Sequence, residues 1–298
     1  MLFYWESVIV MITQCSWTPL SVSTPQHRPQ RLQLHGQLKT LFWRAAAPLV
    51  VDDACSHRGA SLSLGHVTPD GCIACGYHGK TTRGNPRRTQ DVDGIVWHSD
   101  SFEASDIPRP WEFTDPSQRI FRYTDSFPQT NPLMMVENTL DYSHLSFVHA
   151  FSVAEGAPEV VIDEAENKAQ YIYETSFDGK KLIVENQFWA PWNTCLRFYL
   201  DNVHLFSLHF AWIPVSTTHT DLIVRVTRTH GHWTGDIGDR LLQLANAMPL
   251  MEDRDIVQSI HENRTWSDDL LQYEDRFLRR YRDTIQREFP SIYDTYVG

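Results

Sequence analysis

The chain has 298 residues, of which 42% are hydrophobic and 21% charged, with a formal net charge of −11 at pH 7. That length and apolar content suffice for two ordinary domains with real cores, and the acidic balance argues against a nucleic-acid binder, which shows a basic face. Cys15, Cys55, Cys72, Cys75 and Cys195 follow no disulfide-framework spacing, so the sequence predicts a reducing, cytoplasmic setting.

The opening M-L-F-Y-W-E-S-V-I-V-M-I is apolar, but Glu6 interrupts it and no basic residue precedes it. It is too short to span a membrane and lacks a signal-peptide head, so it reads as a β-strand entering the first domain. S-V-I-V-M-I at 7–12 and L-K-T-L-F-W-R at 38–44 are predicted strands by their β-branched and aromatic content. L-V-V-D-D-A then leads into C-S-H at Cys55–His57, and seventeen residues later comes C-G-Y-H at Cys75–His78. A thiolate pair suits one ferric iron and an imidazole pair suits a more exposed partner, which is the ligand set of a Rieske [2Fe–2S] centre. Cys55 and Cys75 would hold one iron, His57 and His78 the other. Gly59, Gly76 and Gly79 are expected to give each clip its backbone freedom. Zinc also takes two Cys and two His, although zinc fingers group C-x-x-C and H-x-x-x-H rather than two mixed clips. Cys72 is expected to be a packed strand residue beside this centre.

T-R-G-N-P signals a turn and G-I-V-W-H another strand. Residues 1 to about 105 therefore read as a small antiparallel β domain carrying the centre at one tip. I-P-R-P-W and D-P-S-Q mark the crossing into a second domain.

The stretch 137–149 reads N-x-x-D-x-x-H-x-x-x-x-H, with Asn138, Asp141, His144 and His149. On a helix Asp141 and His144 share one face, but His149 lies about 140° round from His144. The two imidazoles reach one metal only if the helix bends, bulges or ends between them. The alternative is a buried helix with two flanking His and with Leu145 and Val148 in the core. Beside a centre that moves single electrons, a second metal with open positions has a use. Two His and one carboxylate form the facial triad of oxygen-activating Fe(II) sites, so a carboxylate is expected from elsewhere.

Six strands are predicted across 157–227, and in H-L-F-S-L-H-F-A-W the side chains of Phe206, Leu208, Phe210 and Trp212 share one face. They suit an apolar pocket and a plain core equally. His204 and His209 are expected on opposite faces, as sheet histidines with satisfied partners. In the helical region that follows, Pro249 is expected to start a new helix. Ile256 and Ile260 would mark its apolar side, Asp253 would face inward and Asp255 outward. Asp253 is the third candidate ligand, against the alternative of a solvated acidic first turn. Residues 267–288 are expected to form an amphipathic helix burying Leu270, Leu271, Phe277 and Tyr281.

The flanks C-S-H-R-G-A-S-L-S-L-G and C-G-Y-H-G, together with N-x-x-D-x-x-H-x-x-x-x-H and the E-D at Glu252–Asp253, resemble the oxygenase component of Rieske non-haem iron oxygenases. The likeness is nearest to the vanillate and dicamba demethylases and the pheophorbide-type oxygenases. It implies an α+β fold, with a Rieske domain over 1–108 and a helix-grip catalytic domain with a curved antiparallel sheet over 109–298. It also implies a [2Fe–2S] cluster on Cys55, His57, Cys75 and His78, and mononuclear Fe(II) on His144, His149 and Asp253. Asp141 is then the bridge between the metal sites, with Asn138 and Glu252 orienting ligands. The implied activity is O₂-dependent hydroxylation or oxidative demethylation of an apolar or aromatic small molecule. Electrons would come from NAD(P)H through a separate reductase or ferredoxin, because no nucleotide fingerprint occurs in the chain. A homotrimer is the implied assembly. This sequence departs from the family's C-P-H-R-G and C-P-Y-H-G-W at Ser56, Gly76 and Lys80. Alternatives are a cis-dihydroxylating dioxygenase and a Rieske electron-transfer or ligand-binding protein without catalysis.

Overall fold

The computed structural model describes residues 17–100, 107–149, 158–174, 180–229, 235–260, 265–272 and 275–297. The strand expected at 7–12 lies outside them. The first third is built from short strands. These are β1 (Thr18–Val22), β2 (Gln30–Leu34), β3 (Gln37–Arg44), β4 (Ala47–Asp52), β5 (His66–Val67), β6 (Ile73–Ala74), β7 (Thr81–Thr82), β8 (Thr89–Val92) and β9 (Ile95–His98). They pair into three small antiparallel sheets ordered β2-β3-β4, β1-β9-β8 and β5-β6-β7. Leu41, Trp43 and Val50 pack with Leu20 and Val96 in one core, and Phe42, Leu49, Leu62 and Ile73 pack beneath Cys55 and Cys75 in another. Alternation along β3 sends Leu41 and Phe42 into different cores, as a pleated strand buried on both faces requires.

The remainder is one seven-stranded antiparallel sheet clasped by helices. Its strands are β10 (Gln118–Pro128), β11 (Glu159–Asp163), β12 (Lys168–Glu174), β13 (Lys181–Trp189), β14 (Asn193–Leu200), β15 (Val203–Ser216) and β16 (His219–Thr229), in the order β10-β16-β15-β14-β13-β12-β11. The helices are α1 (Pro132–Leu140), α2 (Leu145–Val148), α3 (Gly235–Gln258), α4 (Arg276–Glu288) and α5 (Pro290–Tyr296). Leu208, Phe210 and Trp212 meet Leu133, Val136, Leu250, Val257, Phe277 and Tyr281 in the main core, so the aromatic stripe of β15 is core. The other face of β15 and β16 receives Trp17, Ile95 and Trp97 of the first unit against Ala211, Ile213 and Ile223. The fold is mixed α+β, as expected from the sequence.

Several local expectations are corrected. β10 was not predicted. α3 runs unbroken through Pro249. That proline removes only the bond to the carbonyl of Ala245, which is exposed and open to water. Ile256 and Ile260 are 51% and 39% exposed, and the buried phase belongs to Leu250, Asp253 and Val257. The helix expected over 267–288 begins only at Arg276. Leu270 is 91% exposed, while Phe277 and Tyr281 are buried. A one-residue irregularity where β14 pairs β15 lets Phe198 face Phe206 but Tyr199 face His204, so Leu205 is skipped. The bulge resets the alternation. His204 and His209 consequently both lie beneath the 3₁₀ turn Trp111–Phe113, against Trp111 and Phe113 respectively.

Candidate functional site

Two separate groups of side chains carry the chemistry. The first sits at the tip of the N-terminal unit. The two clips are closed by matching hydrogen bonds. Cys55 N donates to Ala60 O at 2.9 Å and Gly59 N to Cys55 O at 2.8 Å, while Cys75 N donates to Lys80 O and Gly79 N to Cys75 O, both at 2.9 Å. Gly59 and Gly79 take φ values of +74° and +71° at equivalent places, where a side chain is strained. Gly76 has no positive φ. A Cβ there would come within 3.1 Å of Leu64 O, so its role is close packing.

Cys55 and Cys75 are buried, whereas His57 and His78 are exposed with ring centroids 4.8 Å apart. Backbone N–H groups of Tyr77 and His78 face the Cys75 sulfur and lower its pKa below the ordinary thiol value. Behind the first clip, Asp53 accepts from Thr40 Oγ1 at 2.7 Å, Ser63 N at 2.8 Å and Arg31 Nε at 3.1 Å, tying the loop to β2 and β3. Four ligands on one zinc would crowd within about 4 Å of one another. Among the described residues no three of these four Cys and His bring ligand atoms within 4.8 Å. The spread suits a two-iron cluster, with sulfur on the buried iron and nitrogen on the exposed one. Cys72 is buried beside β6, and its Sγ lies 3.3 Å from Asp70 Oδ2.

The second group lies between α1, α2 and α3. α1 ends at Leu140, with Asp141 as its cap at φ −83° and ψ 110°. Asp141 and His144 therefore meet across a turn and not along one helix face, with Asp141 Oδ2 3.8 Å from His144 Nδ1. His144 and His149 bracket the four-residue α2, and the helix ends at His149. That termination brings the two rings to 5.3 Å between centroids. Asp253, on the buried phase of α3, completes the group. Its Oδ1 is 3.4 Å from His144 Nε2 and 3.5 Å from His149 Nε2. Among the described residues, His144, His149 and Asp253 are the one such trio with ligand atoms within 4.8 Å of one another.

The trio fits a metal on a further observation. Among the described residues, both ring nitrogens of His144 and Asp253 Oδ1 are buried without a hydrogen-bond partner. Buried polar atoms are normally satisfied, and one cation at their point of convergence would satisfy the atoms that face it. Burial opposes charge on His144, but Asp253 and Asp141 outweigh it and hold the His144 pKa above its ordinary value. Glu252 Oε2 lies 2.9 Å from His149 Nδ1 and fixes that ring from behind. Asn138, on the last turn of α1, leaves its Nδ2 buried and without a partner among the described residues.

Sequence reasoning missed what holds α1 in place. Glu137, beside Asn138, makes a bidentate pair with Arg282 of α4 at 2.7 and 2.8 Å, and Arg282 also reaches Asp269 at 2.6 Å. The lone inward Glu beside the Asn was the available signal. His204 and His209 serve the outer face of the sheet. His204 Nε2 pairs with Ser207 Oγ at 2.7 Å. Arg225 Nε donates to His209 Nδ1 at 3.0 Å, and burial pushes the His209 pKa well below its ordinary value.

The Rieske [2Fe-2S] domain family matches residues 17–90. The chain is 26% identical over 276 residues to chlorophyllide a oxygenase of Chlamydomonas reinhardtii, covering 80% of this chain but only 42% of that one. It is 25% identical over 273 residues to methylxanthine N1-demethylase NdmA of Pseudomonas putida, covering 78% and 75% of the two chains. A structure of dicamba monooxygenase with non-heme iron and dicamba shares the fold, with a TM-score of 0.72, 14% identity and coverage of 95% and 100%. No helix among the described residues is long and apolar enough to cross a membrane. With its two matched clips, its second metal-like trio and these relatives, the chain carries a Rieske [2Fe–2S] domain and is related to Rieske oxygenases that include demethylases and monooxygenases.

Proposed function

We propose that Cys55, His57, Cys75 and His78 hold the [2Fe–2S] cluster, that His144, His149 and Asp253 hold a mononuclear Fe(II), and that the chain hydroxylates or oxidatively demethylates a small organic molecule. The observation that carries this is the convergence of two imidazole Nε2 atoms on one buried, otherwise unpartnered carboxylate oxygen. The cluster domain spans 1–108 and the catalytic domain 109–298. When bound, the iron would supply O₂ activation at coordination positions that the three ligands leave open.

The chain's own residues supply positioning. Glu252 holds His149 with Nδ1 turned away from the metal side. Asp141 accepts from Ser143 N at 2.8 Å and Ser143 Oγ at 2.6 Å through Oδ1, leaving Oδ2 toward His144. Phe206, Leu208 and Phe210 belong to the main core, so the apolar or aromatic substrate class favoured here rests on the relatives. The methoxylated aromatics and N-methylated purines named for the relatives are the first compounds to try. Electrons would come from NAD(P)H through a separate reductase or ferredoxin, and the working assembly is a homotrimer.

Iron analysis of protein reconstituted with iron and sulfide tests the reading. About three irons per chain are expected for the enzyme, and about two for an electron carrier lacking the second site. Vanillate, dicamba and methylxanthines should then be screened for O₂ consumption coupled to NADH.

A further inference from the structure

The long helix α3 is apolar on two opposite sides. One side is buried against the body of the protein through Leu242, Leu250, Asp253 and Val257. The other carries Ile237, Leu241, Leu244, Met248 and Met251, each half or more exposed. Their spacing alternates between four and three residues. At about 100° per residue the five fall within an arc of about 80°, centred about 180° from the buried side. The stripe therefore points directly away from the protein, along about 21 Å of helix. Among the described residues no other helix carries more than one exposed large apolar side chain. A contiguous apolar patch of this kind marks an interaction surface.

Alternation of four and three is the spacing of a seam that receives another helix. Among the described residues α3 alone offers such a seam, so the partner that fits it is α3 of a second copy. Antiparallel pairing makes the seam complementary to itself. With a two-fold axis level with Asn246, Leu244 stands opposite Met248 of the other copy, and Leu241 opposite its Met251. Ala245 and Ala247 flank the axis and face their own counterparts, and their small side chains let the helices approach closely. The same register sets Asp255, where the seam turns polar, one turn from Arg240 of the other copy at each end, and both are exposed. Arg254, on the Arg240 side of the seam, is already paired with Asp125 at 3.1 Å. Parallel pairing would instead set Arg240 against Arg240 and Asp255 against Asp255, so charge favours the antiparallel arrangement.

We infer that two copies of this chain pair through α3, antiparallel, across a two-fold axis beside Asn246. The contact leaves Asp253 on the opposite side of the helix and is independent of the metal assignments. It is isologous, so it closes on itself and does not polymerise. One helix seam is smaller than the roughly 800 Å² per partner of a standard interface, so a single pairing depends on concentration. In a ring of three, two rings meeting face to face would repeat the contact three times and strengthen it.

The test uses the reconstituted full chain. Sedimentation velocity should show a concentration-dependent step that doubles the mass. Leu244→Glu with Met248→Glu should weaken that step about a hundredfold or more, with an unchanged far-UV dichroism spectrum. Leu244→Met with Met248→Leu should keep it. Arg240→Glu should weaken it, and Arg240→Glu with Asp255→Arg should restore it. A short bismaleimide should join two copies through Ala245→Cys but not through Gln243→Cys, which lies off the seam, with the wild type as the blank. The crosslink decides independently of how well the charged variant folds.

A wild type that never doubles, a doubling that survives the paired Glu changes, or crosslinking through Gln243→Cys as readily as through Ala245→Cys would overturn the pairing. So would flotation of the wild type with phosphatidylcholine vesicles and no doubling in solution, because lipid would then be what covers the stripe.

Discussion

His149 and Glu252 meet at 2.9 Å, Nδ1 to Oε2, while the next residue along α3, Asp253, faces the opposite nitrogen of the same ring at 3.5 Å. Two adjacent acidic residues thus address one imidazole from both sides. Glu252 is expected to fix the tautomer that leaves Nε2 free for a metal. Glu252→Ala should lower metal affinity at the second site about 10- to 100-fold, and Glu252→Gln, which keeps an acceptor, should lose less. Titration of the metal-free site with Fe(II) or Co(II) checks this, and wild-type affinity in both variants would mean that the contact orients nothing.

The second site should also bind metal more tightly as pH rises. Asp253 and Asp141 overcome burial and raise the folded-state pKa of His144 above the ordinary histidine value of 6.5. In the metal-free protein this group contributes stability that is fully present below the unfolded pKa and is lost as pH rises through the folded pKa. A metal competes with that same proton. Metal affinity should therefore fall as pH drops through and below the His144 pKa, with proton release on binding measurable by calorimetry in two buffers. Asp253→Asn should abolish metal binding and reduce the proton affinity of His144, read by NMR titration.

Much of this candidate site was legible in the sequence because its proposed ligands cluster locally. Cys55 and His57 share one tight loop, Cys75 and His78 another, and neither needs tertiary information to be paired. The inward face of Asp253 was read from helical phase, though for an incomplete reason. Its companions on the buried side are Leu250 and Val257, whereas Ile256 points to solvent. β10 was missed although Phe121, Tyr123 and Phe127 alternate with polar residues, because D-P-S-Q read as a crossing. The parity of His204 was beyond sequence reading, since one skipped residue at Leu205 sets it. The Glu137–Arg282 pair spans 145 positions, and no local pattern joins its members.

That pair anchors the helix carrying Asn138. Glu137 and Arg282 are 8% and 7% exposed, and removing one partner from a buried pair costs about 3–5 kcal/mol because the other charge is left uncompensated. Arg282→Met should destabilise the fold by that amount in urea unfolding. The double change Glu137→Gln with Arg282→Met should recover much of the loss, and additive losses would show that the two residues act separately.

At the cluster, His57→Cys should retain a [2Fe–2S] centre and lower its reduction potential, because an anionic thiolate favours ferric iron over ferrous. Protein-film voltammetry reads this directly. An unchanged potential with an unchanged spectrum would remove His57 from the ligand set.

We propose that Asp141 couples the two metal sites across subunits. In the resembling family a cluster works with the mononuclear iron of a neighbouring subunit, and a head-to-tail contact of that kind must close into a ring to avoid polymerising. Exposed apolar side chains that such a contact would bury lie near both candidate sites. Leu64 and Tyr77 are 78% and 60% exposed beside the cluster clips, and Phe147 is 89% exposed on α2, between His144 and His149. Asp141 has Oδ1 occupied by Ser143 and Oδ2 turned toward His144, and its side chain remains 31% exposed. It can therefore accept from His144 on one side and from His57 or His78 of a neighbouring copy on the other. Asp141→Asn keeps the shape but removes the charge and one acceptor. It should leave both metals bound and a trimer intact in sedimentation. Oxidation of the pre-reduced cluster by O₂ and substrate should nevertheless slow by orders of magnitude in rapid mixing. A wild-type rate in that variant, or an active protein that sediments as a monomer, would place the bridge elsewhere.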